Sequence, residues 1–299
     1  MKNKIIVILI FLCSSLIAQS AGKTGLSFLN IGNSAKNLSL SNIGLLNDDI
    51  SSITYNPATV NFQKTSSILF THQMWIQDMS SDILNASFSL WGLPLAFGVN
   101  TTKINDFEIR TMPSENPEAL FNINYFYGSF STGFKIIENL TFGFSIKYLY
   151  ESMLSDDASG TGYDLGFVYS DLLENLNLGL SVRNLGSMNK LRNKSTKLPS
   201  DLIFNATYLY HFDNVRLLFL PVFGIQKYFE SDNLNFHFGT EIKYDKQFAL
   251  RLGYLTGYES RGLSVGAGFY WNGINIDYAF TPFSYSIGNA NTISIGYTF

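Results

Sequence analysis

Asn139 to Glu151 reads NLTFGFSIKYLYE. Leu140, Phe142, Phe144, Ile146, Tyr148 and Tyr150 share one parity; Thr141, Gly143, Ser145, Lys147, Leu149 and Glu151 share the other. A strand sends successive side chains to opposite faces, whereas a helix returns to one face every third or fourth residue. The stretch is therefore a strand with an apolar and a largely polar face. At thirteen residues it outruns the roughly 5–6 of a sandwich strand and suffices for the ~9–11 that cross lipid obliquely.

The pattern recurs. NLNFHFGTEIKY (Asn233 to Tyr244) sets Leu234, Phe236, Phe238 and Ile242 against Asn235, His237, Gly239, Glu241 and Lys243. GINIDYAFT (Gly273 to Thr281) sets Ile274, Ile276, Tyr278 and Phe280 against Asn275, Asp277, Ala279 and Thr281. NTISIGYTF closes the chain with Ile293, Ile295, Tyr297 and Phe299 on one parity. Fourteen strands are expected in all, near 66–75, 82–90, 93–103, 122–134, 139–151, 160–170, 175–185, 200–211, 215–227, 233–244, 246–255, 261–271, 273–281 and 290–299. Connections after even strands are short (WG, KIIEN, DLLE, FDN, Asp245, Asn272). After odd strands several are long: 105–121, 152–159, 186–199 and 282–289. A transmembrane β-barrel has an even strand number, short periplasmic turns and longer outer loops; a secreted sandwich, the alternative, has no reason to sort its loops. The expected fold is all-β: a 14-stranded antiparallel transmembrane barrel spanning 66–299.

Composition agrees. Charged residues are only 14% and aromatics 15%, with 26 Phe and 17 Tyr, against about 25% charged in ordinary globular chains. Residues 1–20 read as a secretory signal peptide: a basic start at Lys2 and Lys4, an apolar run from Ile5 to Leu12, then small residues with cleavage after Ala18 or Ser20. Cys13, the only cysteine, lies in that segment, so no disulfide or thiol chemistry is expected of the remainder. Without Lys2 and Lys4, 18 basic residues face 23 acidic ones, a net charge of about −5. No basic block exists, which argues against a nucleic-acid partner. The implied location is the outer membrane, with lipid and lipopolysaccharide outside the barrel and both termini periplasmic. An unpaired strand edge is prohibitive in lipid, so the last strand is expected to pair with the first. Phe299 would then lie on the lipid face at the periplasmic rim.

Residues 21–65 alternate poorly and are rich in Gly, Asn and Ser. They are expected to form a plug or hatch, in the periplasmic half of the lumen, as short helical turns and coil. The turn Asn56-Pro57-Ala58 would mark its exit, because Pro57 presets φ and Asn56 initiates turns.

The order of segments resembles a family. FLNIGNSAKNLSLSNIGLLNDDISSITYNPAT (Phe28 to Thr59) resembles the start of PorV/PorQ-type proteins, a branch of the FadL-like fourteen-stranded barrels. HQMWIQDMS (His72 to Ser80), LGLSVRNLG (Leu178 to Gly186), LRLGY (Leu250 to Tyr254) and INIDYAFTPF (Ile274 to Phe283) resemble later signatures. Lys36 stands where the family carries Arg. The resemblance implies a non-enzymatic docking or anchoring barrel of type IX secretion, with secreted clients or secretion-system subunits as partners. It also implies that Phe299 is the address read by the barrel-assembly machinery. The alternative is a FadL-like channel for hydrophobic small molecules, with 21–65 as its hatch.

Inward parity holds Lys147, Glu151, Asp164, Arg183, His237, Glu241, Lys243, Arg251 and Asp277. These read as a polar conduit or docking site, or as a salt-bridge network that fills the lumen; on the lipid face each charge would cost about 2–4 kcal/mol at midplane. Glu241 and Arg251, on adjoining strands, are placed to pair. No catalytic, cofactor or metal site is expected: three histidines lack ligand spacing, and no G-x-S-x-G elbow occurs.

Overall fold

In the computed structural model, residues 24–45 and 49–299 are described; the signal-peptide expectation lies outside them. Among these residues fourteen antiparallel strands close a barrel. They are β1 (Ser67–Met74), β2 (Met79–Leu90), β3 (Leu93–Ile109), β4 (Ala119–Ile137), β5 (Leu140–Met153), β6 (Asp156–Tyr169), β7 (Leu176–Met188), β8 (Asp201–Tyr208, resuming as Tyr210–Phe212), β9 (Leu217–Tyr228), β10 (Leu234–Tyr244), β11 (Phe248–Leu255), β12 (Leu263–Trp271), β13 (Ile274–Pro282) and β14 (Asn289–Thr298). Each strand pairs with its chain neighbours, and β14 closes on β1 from Ser67↔Thr298 to Met74↔Asn291.

The barrel is apolar outside. Along β11, Phe248, Leu250, Leu252 and Tyr254 are exposed, while Ala249, Arg251, Gly253 and Leu255 are buried. On β14 the exposed set is Ile293, Ile295 and Tyr297, with Thr292 and Ser294 inside. Water would penalise such a surface; a lipid hydrocarbon layer requires it.

The strands overrun their expected ends on one rim. The segment 105–121 is mostly strand, since β3 runs to Ile109 and β4 starts at Ala119. Likewise 152–159 shrinks to a turn at 154–155, and 186–199 contributes to β7 and to a small ribbon of Lys190–Leu191 against Lys194–Ser195. Backbone groups keep pairing beyond the apolar belt, but water on both faces removes the need for alternation. This rim is called the loop rim below, and the opposite one, with the C-terminus, the turn rim.

Two bulges matter inside. The β3–β4 register shifts between Ile104 and Phe107, with Asp106 at φ 55°. The β6–β7 register shifts near Asp164, with Asn184 at φ 55°, so that consecutive residues Arg183 and Asn184 are both buried. A bulge supplies the extra residue that breaks strict alternation.

Residues 24–45 and 49–65 fill the lumen with short helical pieces: Ser27–Asn30, α1 (Ala35–Ser39), Ile50–Thr54 and Pro57–Phe62. Their starts are capped by local side chains. Ser34 Oγ accepts from Asn37 N (3.1 Å), an Asp49 carboxylate oxygen from Ser51 N (2.8 Å) and Asn56 Oδ1 from Ala58 N (3.0 Å), with Pro57 at the first helical position. The segment reaches further than the periplasmic-half expectation. Leu26, Phe28 and Leu29 pack toward the loop rim on Tyr127, Leu149, Met188 and Leu198, whereas Ile50, Ile53 and Val60 pack on Leu69 and Ala96 toward the turn rim. Its apolar residues need cover from water, and the wall near the loop rim offers an apolar inner patch to the first three.

Candidate functional site

Inward glycines hold the plug against the wall. A Cβ at Gly143 would fall onto the Ala58 backbone, and one at Gly166 onto the Asn56 amide. Across the lumen, Gly239, Gly253 and Gly266 receive Leu40, Ser41 and Ser39. The Asn56 amide also donates to Phe167 O (3.0 Å) and Leu180 O (3.3 Å) on β6 and β7. Asn56, Pro57 and Ala58 thus form a docked helix start rather than a free surface turn.

The inward charges separate into distinct groups. Lys147 Nζ meets Asp164 (2.7 Å) and donates to Asn184 Oδ1 (2.8 Å). Arg183 forks onto Asp201 through Nε (3.0 Å) and Nη2 (2.6 Å), and Gln226 donates to the same carboxylate (2.6 Å). Arg251 lies between Glu241 (2.6 Å) and Asp277 (2.7 Å), with Tyr270 donating to Asp277 (3.1 Å). Lys243 stacks over the Tyr270 ring at 4.2 Å. Glu151 accepts from Thr196 of the loop-rim connection (2.5 Å), and His237 Nδ1 donates to Ser41 O (2.6 Å), which ties the plug to β10. Buried pairs of this quality offset a large desolvation cost only while intact. Asp201, Asn184, Gln226 and Tyr270 belong to these groups although the sequence reading did not name them. Asn184 is hidden by its bulge; the other three fall on the inward parity of their strands and were legible there.

Two cavities flank the plug and share no lining residue. The turn-side cavity, about 500 Å³, is bounded by Ser34, Lys36, Asp49, Tyr270, Asp277 and Ser294. Burial raises the Asp49 carboxyl above its ordinary value, and the Lys36 ammonium and hydrogen bonds from Ser51 pull against that rise. The loop-side cavity, about 960 Å³, is bounded by Ile31, Trp75, Phe107, Tyr228, Tyr258 and Phe283 together with polar residues. Trp75 meets Phe283 edge-on at 5.3 Å. Ser27, Asn30 and Ile31 of the plug touch this cavity, and Ser34, Lys36 and Asp49 touch the other. The sequence reading missed the loop-side cavity, which is assembled from seven distant segments. Phe299 is well exposed at the turn rim; its N–H donates to Ser66 O (2.9 Å) and its ring meets Tyr297 at 4.9 Å.

No family model and no curated protein matches the chain. Solved structures do. The Ralstonia pickettii toluene transporter TbuX superposes with a TM-score of 0.60 at 13% identity, over 91% of this chain and 100% of that one. The CymD monoaromatic hydrocarbon channel gives 0.59 at 13% identity, over 90% and 98%. A Pseudomonas aeruginosa FadL homologue gives 0.53 at 11% identity, over 89% and 98%. At these identities the likeness is one of fold, and the fold is that of FadL-like outer-membrane barrels.

Proposed function

We propose that the chain is an outer-membrane channel for hydrophobic small molecules, its termini periplasmic and its loop rim outside. The observation that carries this reading is the aromatic-walled cavity at the loop rim, closed below by the plug. Its volume of about 960 Å³ suits a small ligand, since such sites run to roughly 300–1,000 Å³ and are mostly apolar. The likeness of fold to the toluene transporter TbuX and the monoaromatic hydrocarbon channel CymD supports the same reading. The secretion-docking role implied by the sequence resemblance gains no support from them, so the channel alternative is preferred. In this reading Phe299 is the assembly address and carries no part of transport.

Uptake tests it. Cells lacking a hydrophobic-uptake channel of their own would receive this chain and be offered single-ring aromatics in neutral, anionic and cationic forms. Entry of at least one should rise several-fold over the empty vector, and the Trp75→Ala, Phe283→Ala double variant should lose most of the gain. Equal entry with and without the chain would refute the proposal. For orientation, Asn116→Cys and Asn193→Cys should react with an impermeant thiol reagent on intact cells, while Glu138→Cys and Asp213→Cys stay protected.

A further inference from the structure

We propose that the loop-side cavity selects an apolar amine in its protonated form, an aryl or alkyl ammonium, over a neutral hydrocarbon or a carboxylate. This narrows the substrate class of the channel reading and rests on it. Three observations converge. First, the aromatic wall already holds a cation: the Arg261 guanidinium lies 4.7 Å from the Tyr258 ring and 5.5 Å from that of Trp75, within the roughly 6 Å at which ring faces attract positive charge. Second, the lining is acidic. Glu108 and Glu230 are partnered by Arg110 (2.8 Å) and Lys197 (3.5 Å). Asp78, Asp106 and Glu259 also line the cavity and have no ion-pair partner among the described residues. Arg261 is the sole cationic side chain in that lining. Three open carboxylates against one guanidinium give a negative potential that an apolar-walled cleft focuses.

Third, Asn235 lines the cavity at 4% exposure, and its side-chain amide makes no hydrogen bond among the described residues. Its Oδ1 faces Gly257, where no side chain intervenes. An ammonium N–H can donate to that oxygen. A hydrocarbon would desolvate the amide without replacing its hydrogen bonds, which costs affinity. A carboxylate would find Arg261, but among three unpaired carboxylates.

The test uses the purified full chain in one detergent and three probes matched in ring and chain: 2-phenylethylamine, ethylbenzene and 3-phenylpropanoate. Binding is read by calorimetry at neutral pH and low salt. The amine should bind about tenfold more tightly than either comparator. The Asp78→Asn, Asp106→Asn, Glu259→Gln triple variant should lose about tenfold for the amine alone, as three exposed charge pairs of ordinary strength imply. Should that variant not fold, Glu259→Gln alone should lose about threefold on the same grounds. Raised salt should weaken the amine selectively. Ethylbenzene or the carboxylate binding as tightly as the amine, or an amine affinity indifferent to the carboxylates, would overturn this inference and leave the channel reading standing. Failure of all three probes to bind would remove both.

Discussion

The two cavities have different linings although they flank one short plug. The loop-side cavity sets rings from strands and loops among polar and acidic side chains, with the plug contributing Ser27, Asn30 and Ile31. The turn-side cavity is walled by hydroxyls, amides and charges, with the plug contributing Ser34, Lys36 and Asp49. The richer aromatic wall of the first favours an apolar molecule there over the second. In the channel reading the plug is more than a stopper, because it marks where the environment changes from a more aromatic lining to a more polar one. The contrast extends to the contacts behind each wall. Asp277 of the turn-side lining is held by the Arg251 bridge to Glu241, and Trp75 of the loop-side lining meets Phe283 edge-on.

The largest expected effect breaks the turn-side wall. Arg251→Leu leaves Glu241 and Asp277 buried without their shared cation, and removal of one member of a buried pair costs about 3–5 kcal/mol. The temperature at which the folded barrel loses its compact gel mobility should drop steeply. Partial recovery is expected when Glu241→Gln and Asp277→Asn are added. An unchanged unfolding temperature would mean that the lumen is hydrated enough to solvate both carboxylates.

A second variant moves the boundary between the cavities. Gly166→Val places a branched side chain where Asn56 and Pro57 sit, while its backbone, inside β6, can keep its ladder. The barrel should fold and the plug should detach from that wall, raising ion conductance across a planar bilayer several-fold. Wild-type conductance would show that the wall, rather than the plug, yields.

The third is a pH effect at Asp49. Its folded-state value is raised, so the packed plug holds this proton more tightly than the unpacked chain does. The associated stability is fully present below the ordinary value of 3.8 and is lost as pH rises through the raised one. Protease protection of the plug should therefore weaken with rising pH across the acid range. Asp49→Asn keeps an oxygen to accept from Ser51 N and should flatten that dependence. A variant as pH-sensitive as wild type would place the titration elsewhere.

The smallest effect on stability is expected at Phe299. The residue is 73% exposed and its ring meets that of Tyr297 at 4.9 Å, so Phe299→Ser should change barrel stability by about 0.5 kcal/mol or less. If the assembly role proposed for it holds, outer-membrane abundance should fall nonetheless. Normal abundance would remove that role, and a large stability loss would make Phe299 a closure residue.

The sequence by itself determined the strands and their faces. Period two admits one reading over nine or more residues, and a one-residue slip would turn every apolar side chain inward. It also placed Glu241 opposite Arg251, because a tight turn at Asp245 sets the register of that hairpin. It did not determine where strands end on the loop rim, since beyond lipid pairing continues without any pattern to mark it. Nor did it reveal that Arg183 and Asn184 both point inward, because a bulge suspends the parity on which the reading depends. Only the tertiary structure decided how the plug threads the lumen from Leu26 near one rim to Val60 near the other. It alone brought Trp75, Asn235, Tyr258 and Phe283 around one space. Both follow from barrel closure, which joins residues two hundred positions apart through the summed register of fourteen strands, a quantity no local stretch of sequence contains.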